Sequence, residues 1–208
     1  LMKSLENTTY QHPHYFSNEQ AEQIFSPIHT DEIEKNERLG NTNVVVIILE
    51  SFSKEYIGFY NQHIAGYKGY TPFLDSLLAH SVTYSHSFAS GRKSIDAMPS
   101  VLSSIPMLIE PYIVTPYSTN AISSLADVLL REGYATAFFH GAPNGSMGFQ
   151  AYARSAGFER YYGMNEYDGI EAFDGTWAIW DEEFLQYYAR TMSDMPQPFM
   201  TSVFTASS

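Results

Sequence analysis

The sequence predicts an α/β domain with a mostly parallel sheet and helices on both faces, and three observations lead to that prediction. Residues 44–49 have the sequence VVVIIL, a largely β-branched run with the length of a strand that is buried on both faces. Strand patterns and helix patterns then alternate along the chain, as they do where helices connect parallel strands. With 208 residues, 44% of them hydrophobic, the chain can also form one sizeable core.

The other elements each have a local signal. Thr71 and Pro72 are a typical cap and first residue of a helix, and Gly133 is a typical residue at the end of one. Pro99 falls inside a helical pattern, which predicts either a helix that begins near Met98 or a kinked helix. We expect helices after residue 71, from the loop at residues 91–94 to before Pro106, and over residues 122–132, 149–156 and 181–192. We expect the strands over residues 44–49, 82–88, 134–139 and 198–204.

Residues 1–40 differ from the rest of the chain in composition. They are polar, with an acidic cluster over residues 31–37, and they predict an irregular lead-in with one short helix near residues 18–25. Residues 41–208 are predicted to form one domain. Because the chain opens on Leu1 and stops directly after an apolar run, we expect a piece of a longer protein, with the domain truncated at its C-terminus.

The charge balance and the residue types that are missing exclude several functions. Lys and Arg number 11 against 23 Asp and Glu, so the net charge of -12 repels nucleic-acid phosphates, and nucleic acid is not an expected partner. The absence of cysteine excludes disulfides, thiolate zinc sites and a cysteine nucleophile. The sequence contains no run of about 18 apolar residues, so no membrane span is predicted within these residues. A bound divalent cation would let so acidic a protein act on an anionic substrate, because the ion dominates its local field.

Two candidate site residues, Glu50 and His140, directly follow predicted strands, at the edge where parallel sheets bind ligands. Glu50 is a candidate metal ligand, and the alternative is a capping or hydrogen-bonded glutamate. His140 is a candidate ligand for a substrate oxygen or a metal, and the alternative is a structural histidine.

Ser94 is the candidate nucleophile. It lies where a glycine-bearing loop enters a helix, next to Arg92 and Lys93, and the helix N-terminus with two cations could stabilise an alkoxide and an attacked phosphate. The alternatives are that Ser94 is an ordinary N-cap and that the two cations are a solvated surface pair.

Four segments taken together resemble the lipoteichoic acid synthase and phosphoglycerol transferase family of the alkaline phosphatase and sulfatase superfamily. They are residues 43–52, 71–75, 91–99 and the strand that ends at residues 139–141, and the resemblance spans residues 43–208. It implies that Glu50 is a metal ligand, that Ser94 is the nucleophile and also touches the metal, and that His140 lies near the glycerophosphate pocket. It also implies a divalent metal, with Mn2+ as the first expectation and Zn2+, Mg2+ or Ca2+ as alternatives.

The resemblance implies a reaction as well. The family attacks the phosphodiester of a phospholipid headgroup, forms a covalent phosphoryl-enzyme, and passes the group to an acceptor hydroxyl or to water. We therefore predict a phosphoglycerol-type headgroup transferase of the bacterial envelope, held at the cell membrane by segments outside this chain, with a periplasmic or extracellular catalytic domain. Its substrate would be a phospholipid or another envelope phospho- or sulfo-ester, bound by His140, Arg92, Lys93 and Asn144. The alternatives are a sulfatase-like phosphodiesterase or sulfuric ester hydrolase, and an inactive envelope-binding module.

The sequence departs from the family pattern in three respects. The loop after His140 has Asn144, Met147 and Phe149 where lipoteichoic acid synthases have a tryptophan and an arginine, which predicts a different substrate. Residues 95–98 lack the proline and arginine that follow the nucleophile of classical sulfatases, which disfavours formylglycine chemistry. The family's downstream Asp-His metal pair is not in this chain, so we expect the chain by itself to bind metal weakly and to be inactive.

Overall fold

The structure is a computed structural model that describes residues 13–26, 42–84 and 86–206. The chain divides into two compact units, Leu1–Gly40 and Asn41–Ser208.

The first unit contains helix α1 (Asn18–Ile24), where the sequence predicts a helix. Ser17 caps this helix, because its hydroxyl accepts a hydrogen bond from the Gln20 amide at 3.2 Å. The Gln20 side chain in turn accepts a hydrogen bond from the Ser17 amide at 3.0 Å, which completes a capping box. The acidic cluster over residues 31–37 lies outside the described residues.

The second unit is built on one parallel sheet. Its strands are β1 (Val44–Ile48), β2 (Ala135–His140), β3 (Arg160–Tyr162) and β4 (Phe199–Phe204), and their order in the sheet is β1-β4-β2-β3. All three pairings are parallel, which confirms the predicted sheet. Phe204 is paired with both Ile48 and His140, so β1, β4 and β2 end on the same rung.

The second unit has five α-helices among its described residues. They are α2 (Pro72–Leu78), α3 (Ser94–Ser103), α4 (Leu125–Arg131), α5 (Phe149–Ser155) and α6 (Asp181–Ser193). Of these, α3, α4 and α5 pack on one face of the sheet and α6 on the other. Short 3-10 turns lie at Lys54–Tyr56, Gly58–Asn61, Tyr112–Val114, Pro116–Thr119, Ser146–Gly148, Met164–Glu166 and Ile170–Ala172.

The core consists of two apolar layers on opposite faces of the sheet. Phe138 and Phe204 face one layer, with buried residues of α3, α4 and α5. Phe139 and Val203 face the other layer, with buried residues of α6. Because neighbouring residues of a strand point to opposite faces, this alternation explains why both faces of β2 and β4 are buried, including the polar residues Thr136, Thr201 and Ser202.

The strand predicted over residues 82–88 is wrong. None of its described residues is in a strand, and the apolar members of the pattern are exposed, with Val82 86% and Phe88 90% accessible. The alternation of apolar and polar residues there is a genuine strand signal, but β1 pairs directly with β4. No described strand of the sheet pairs with this segment.

Three further details differ from the sequence prediction. Of the two alternatives for α3, the start near Met98 is wrong, because the helix begins at Ser94 and continues through Pro99 to Ser103. Asp181 is a residue type that typically caps a helix, and the sequence predicts that role for it, but it is the first helical residue of α6 and the cap position belongs to Trp180. The short strand β3 was not predicted, because three residues are too few to show a periodic pattern.

Candidate functional site

Glu50 lies two residues beyond the end of β1 and is tied to the end of β4. Its backbone amide donates a hydrogen bond to the Thr205 hydroxyl at 2.7 Å, and the Thr205 amide donates to the Ile48 carbonyl at 3.0 Å. One carboxylate oxygen, Oε1, accepts a hydrogen bond from the Ser51 hydroxyl at 3.0 Å. Glu50 itself is half-buried, so its carboxylate is fixed at the carboxyl edge of the sheet while still reachable by a ligand.

His140 is the last residue of β2 and is only 1% exposed. Its Nδ1 is 2.9 Å from the carbonyl oxygen of Phe204. Since a carbonyl oxygen can only accept, Nδ1 carries the proton in this contact. The other ring nitrogen, Nε2, has no hydrogen-bond partner among the residues that the structure describes.

The surroundings of His140 also set its charge. Burial lowers the pKa of the imidazole below its usual value of 6.5, while the Phe204 carbonyl and the carboxylates of Asp181 and Glu50 oppose that shift. The rings of Phe149 and Phe204 pack against the imidazole, with centroids 5.1 Å and 5.8 Å away. His140 is therefore neutral at pH 7 and presents a bare lone pair on Nε2.

Asp181 is a site residue that the sequence did not reveal. Its Oδ1 accepts a hydrogen bond from the Ala206 amide at 2.8 Å, which places the N-terminus of α6 at the same edge of the sheet. Its carboxylate is also close enough to raise the pKa of His140. The sequence pattern assigns Asp181 to a helix start, and only the residues that follow β4, through Ala206, bring it to the edge of the sheet that carries Glu50 and His140.

Ser94 is held in a separate arrangement at the start of α3. It is the first helical residue, and the N-cap position belongs to Lys93, so the capping alternative for the Ser94 hydroxyl does not apply. The carboxylate of Asp96 accepts hydrogen bonds from the amides of Arg92 and Lys93, each at 3.2 Å. Arg92 and Lys93 are exposed, and their contact with a substrate stays a prediction.

Asn144 is engaged within the protein. Its Nδ2 donates to both carboxylate oxygens of Glu166, at 3.1 Å and 3.0 Å, and its Oδ1 accepts from the Asn165 amide at 3.3 Å. These bonds join the loop after His140 to the turn after β3. The substrate contact predicted for Asn144 stays a prediction, and it would have to compete with this internal network.

The contacts therefore bring Glu50, His140 and Asp181 together through the end of β4, whereas Ser94 is positioned by its own loop. Within residues 13–26, 42–84 and 86–206, no three His, Cys, Asp or Glu side chains form a group that could hold a metal ion. Glu50 and Ser94 offer oxygen donors of the kind that Mn2+, Mg2+ and Ca2+ accept, but two donors do not make a complete site. None of the described helices has both the length and the apolar character needed to cross a membrane.

Two curated proteins of Bacillus subtilis (strain 168) are similar to this chain. Lipoteichoic acid synthase-like YvgJ is 23% identical over 165 residues, which are 78% of this chain and 26% of that protein. Lipoteichoic acid synthase 2 is 25% identical over 170 residues, which are 79% of this chain and 25% of that protein. The chain thus spans about a quarter of the length of these relatives.

Three solved structures share the fold. A protein of the alkaline phosphatase superfamily from Vibrio parahaemolyticus matches 80% of this chain and 40% of its own, with a TM-score of 0.66 and 23% identity. The lipoteichoic acid synthase LtaP from Listeria monocytogenes matches 80% of this chain over 41% of its own length, with a TM-score of 0.69 and 20% identity. The C-terminal periplasmic domain of EcEptC from Escherichia coli, in complex with Zn, matches 79% of this chain over 43% of its own length, with a TM-score of 0.52 and 18% identity.

The match to a family model covers most of the chain. Residues 42–208 match the model described as Sulfatase, and this range contains the sheet, Glu50, Ser94 and His140. The relatives and the shared fold agree with the resemblance that the sequence predicts. The chain belongs to the Sulfatase family, and its relatives there include lipoteichoic acid synthases.

Proposed function

We propose that this chain is part of the catalytic domain of a bacterial-envelope enzyme that transfers a phosphorylated lipid headgroup, of the phosphoglycerol type, to a hydroxyl acceptor. The observation that carries the proposal is the buried, unpartnered Nε2 of His140 on the same edge of the sheet as Glu50. A buried polar atom without a partner is costly unless a ligand uses it. The names of the relatives support the substrate class, and the periplasmic EcEptC domain supports a location outside the cytoplasm.

Ser94 is the nucleophile in this proposal. Its oxygen forms a bond to the phosphorus of the phosphodiester, its proton passes to the departing lipid alcohol, and the bond to that alcohol breaks. An acceptor hydroxyl then attacks the phosphoserine, transfers its proton to the Ser94 oxygen, and takes the headgroup. The exposed cations of Arg92 and Lys93 next to Ser94 would attract the anionic headgroup in an otherwise acidic protein.

His140 has a more specific role than a general polar contact. With the proton on Nδ1 and the ring neutral, Nε2 can accept a hydrogen bond but cannot donate one. Its natural partner is therefore a hydroxyl group, on the headgroup or on the acceptor, rather than a phosphoryl oxygen. A glycerol-type headgroup supplies such a hydroxyl.

Glu50 and Ser94 would hold a divalent metal together with ligands from outside the described residues. Oxygen donors suit Mn2+, which is our first expectation, and also Zn2+, Mg2+ and Ca2+. When bound, such an ion would stabilise negative charge on the transferred phosphoryl oxygens.

The Sulfatase family match supports a second candidate, a phosphodiesterase or sulfuric ester hydrolase that uses the same residues with water as the acceptor. The two enzymes differ in the fate of the phosphoserine, because a hydrolase releases the free headgroup phosphate and a transferase makes a new ester. An inactive envelope-binding module is the third candidate, and it predicts no turnover.

The test uses the full-length protein in vesicles that contain phosphatidylglycerol, with bis-p-nitrophenyl phosphate and p-nitrophenyl sulfate as soluble comparison substrates. The variants are Ser94→Ala, Glu50→Gln and His140→Gln, with Ser76→Ala on the exposed side of α2 as the matched serine control. We expect Ser94→Ala to lower turnover by at least about a thousandfold, as removal of a nucleophile does, and mass spectrometry to find the headgroup phosphate on Ser94 in the wild type. Retained turnover in Ser94→Ala would remove Ser94 from this role. Turnover of the sulfate ester alone would favour the hydrolase.

A further inference from the structure

Asp96 is a buried carboxylate two residues after Ser94. It is the third residue of α3 and is 3% exposed. One oxygen, Oδ2, accepts hydrogen bonds from the amides of Arg92 and Lys93. The other, Oδ1, has no hydrogen-bond partner among the described residues.

The loop is built closely around this side chain. A Cβ atom on Gly91 would lie 2.3 Å from the Asp96 Cβ and 2.6 Å from Oδ2, so only glycine fits at position 91 without displacing the carboxylate. The Asp96 amide also donates to the Lys93 carbonyl at 2.9 Å. The backbone of residues 91–93 is therefore held against one carboxylate immediately before Ser94.

A capping role alone does not require these features. In the same domain, Ser124 caps α4 with a neutral hydroxyl, which accepts from the Asp127 amide at 3.1 Å. A buried carboxylate with one unpaired oxygen is a more costly solution than that hydroxyl. A costly, closely packed arrangement is typical of a site where exact placement of a neighbouring group is needed.

We infer that Asp96 is a positioning residue, which fixes the loop at residues 91–93 and thereby holds the Ser94 hydroxyl in line for attack on phosphorus. The inference rests on the proposed function, because it gives Ser94 the role of nucleophile. In this role Asp96 acts through the loop and not by contact with the substrate or the reacting atoms. Its effect is therefore on the rate of the chemical step rather than on the binding of substrate.

The test compares Asp96→Ala, Asp96→Asn and Gly91→Ala with Ser124→Ala in the full-length protein. The Asp96→Asn side chain retains a carbonyl oxygen that can accept from both loop amides, whereas the Asp96→Ala side chain has no acceptor. Ser124→Ala removes a cap from α4, a helix that does not carry Ser94, so it controls for loss of stability alone. The steady-state kcat and KM for bis-p-nitrophenyl phosphate are measured for each, together with amide hydrogen exchange of a peptide that covers Arg92 and Lys93.

Because a displacement of about 1 Å costs about a hundredfold in rate, we expect Asp96→Ala and Gly91→Ala to lower kcat by about 10- to 100-fold with KM within about twofold. Asp96→Asn should recover kcat to within about fivefold of the wild type, and Ser124→Ala should leave kcat unchanged. Exchange at Arg92 and Lys93 should rise in Asp96→Ala and not in Asp96→Asn.

Several outcomes would overturn the inference. A kcat in Asp96→Ala equal to that of Ser124→Ala refutes positioning while the proposed function stands, provided that Ser94→Ala is inactive. If amide hydrogen exchange at Arg92 and Lys93 is unchanged in Asp96→Ala, Asp96 does not fix this loop, and the inference is refuted whatever the activity. Retained turnover in Ser94→Ala refutes the proposed nucleophile and the positioning role with it.

Discussion

The hydrogen bond between Thr205 and Glu50 connects the end of β4 to the candidate metal ligand, and Thr205→Val tests its contribution. The Thr205 hydroxyl accepts from the Glu50 amide at 2.7 Å, and Thr205 is only 5% exposed. Valine has nearly the same shape but places a methyl group where the acceptor was. The amide of Glu50 then loses its partner at a position that water reaches poorly, which costs about 1–3 kcal/mol of unfolding free energy.

Urea unfolding of the purified protein measures this loss. Thr119→Val is the matched control, because Thr119 is exposed and water can replace its hydrogen bond to the Pro116 carbonyl, so its effect should stay within about 0.5 kcal/mol. If Glu50 is a metal ligand, Thr205→Val should also weaken Mn2+ binding in the full-length protein, and Thr119→Val should not. Equal unfolding midpoints for the two variants would refute the reasoning about this bond.

Three further predictions concern His140 and the core. Burial lowers the pKa of His140, so the unfolded chain binds the proton more tightly than the native protein does. The stability that this contributes is fully present above about pH 6.5 and is lost as pH falls through the lowered native pKa. Urea unfolding midpoints at several pH values measure this loss, and we expect a smaller loss in His140→Gln. Phe149→Ala, which removes a fully buried ring stacked 5.3 Å from Phe204, should cost about 3–5 kcal/mol, whereas Phe73→Ala at an exposed position should cost less than about 0.5 kcal/mol. Gly157→Ala should lower the melting temperature more than Gly133→Ala. Both glycines have a positive φ, but only at residue 157 would the new Cβ meet the Asp127 backbone, at 2.7 Å. Equal losses of melting temperature would contradict that contact.

Three of the four strands were predictable because their sequences combine strand length with a high share of apolar residues, although β1 lies at the edge of the sheet rather than buried on both faces. β1, β2 and β4 each lie within one or two residues of the predicted bounds. The helix boundaries at Pro72 and Gly133 were predictable for a different reason, because proline and glycine restrict or permit particular backbone angles wherever they occur.

Prediction failed where the outcome depends on a pairing partner. Residues 82–88 alternate as a strand does, yet a strand forms only where its backbone pairs with a neighbour, and the described residues of this segment pair with none of the four strands, although the outer edge of β1 is open. The opposite error concerns β3, whose three residues have no pattern of their own and are in a strand because β2 offers an edge.

Patterns of residues that are adjacent in the chain were enough to predict β1, β2 and β4, the parallel sheet, and the candidate residues Glu50, Ser94 and His140. How those residues are held depends on contacts that form only in the folded domain. Glu50 is bonded to Thr205, 155 residues away, His140 to Phe204, 64 residues away, and Asp181 to Ala206, 25 residues away. These contacts fix which nitrogen of His140 carries the proton and which is free for a ligand. No local pattern encodes them, because they arise only when the ends of β1, β4 and β2 meet on one rung of the sheet.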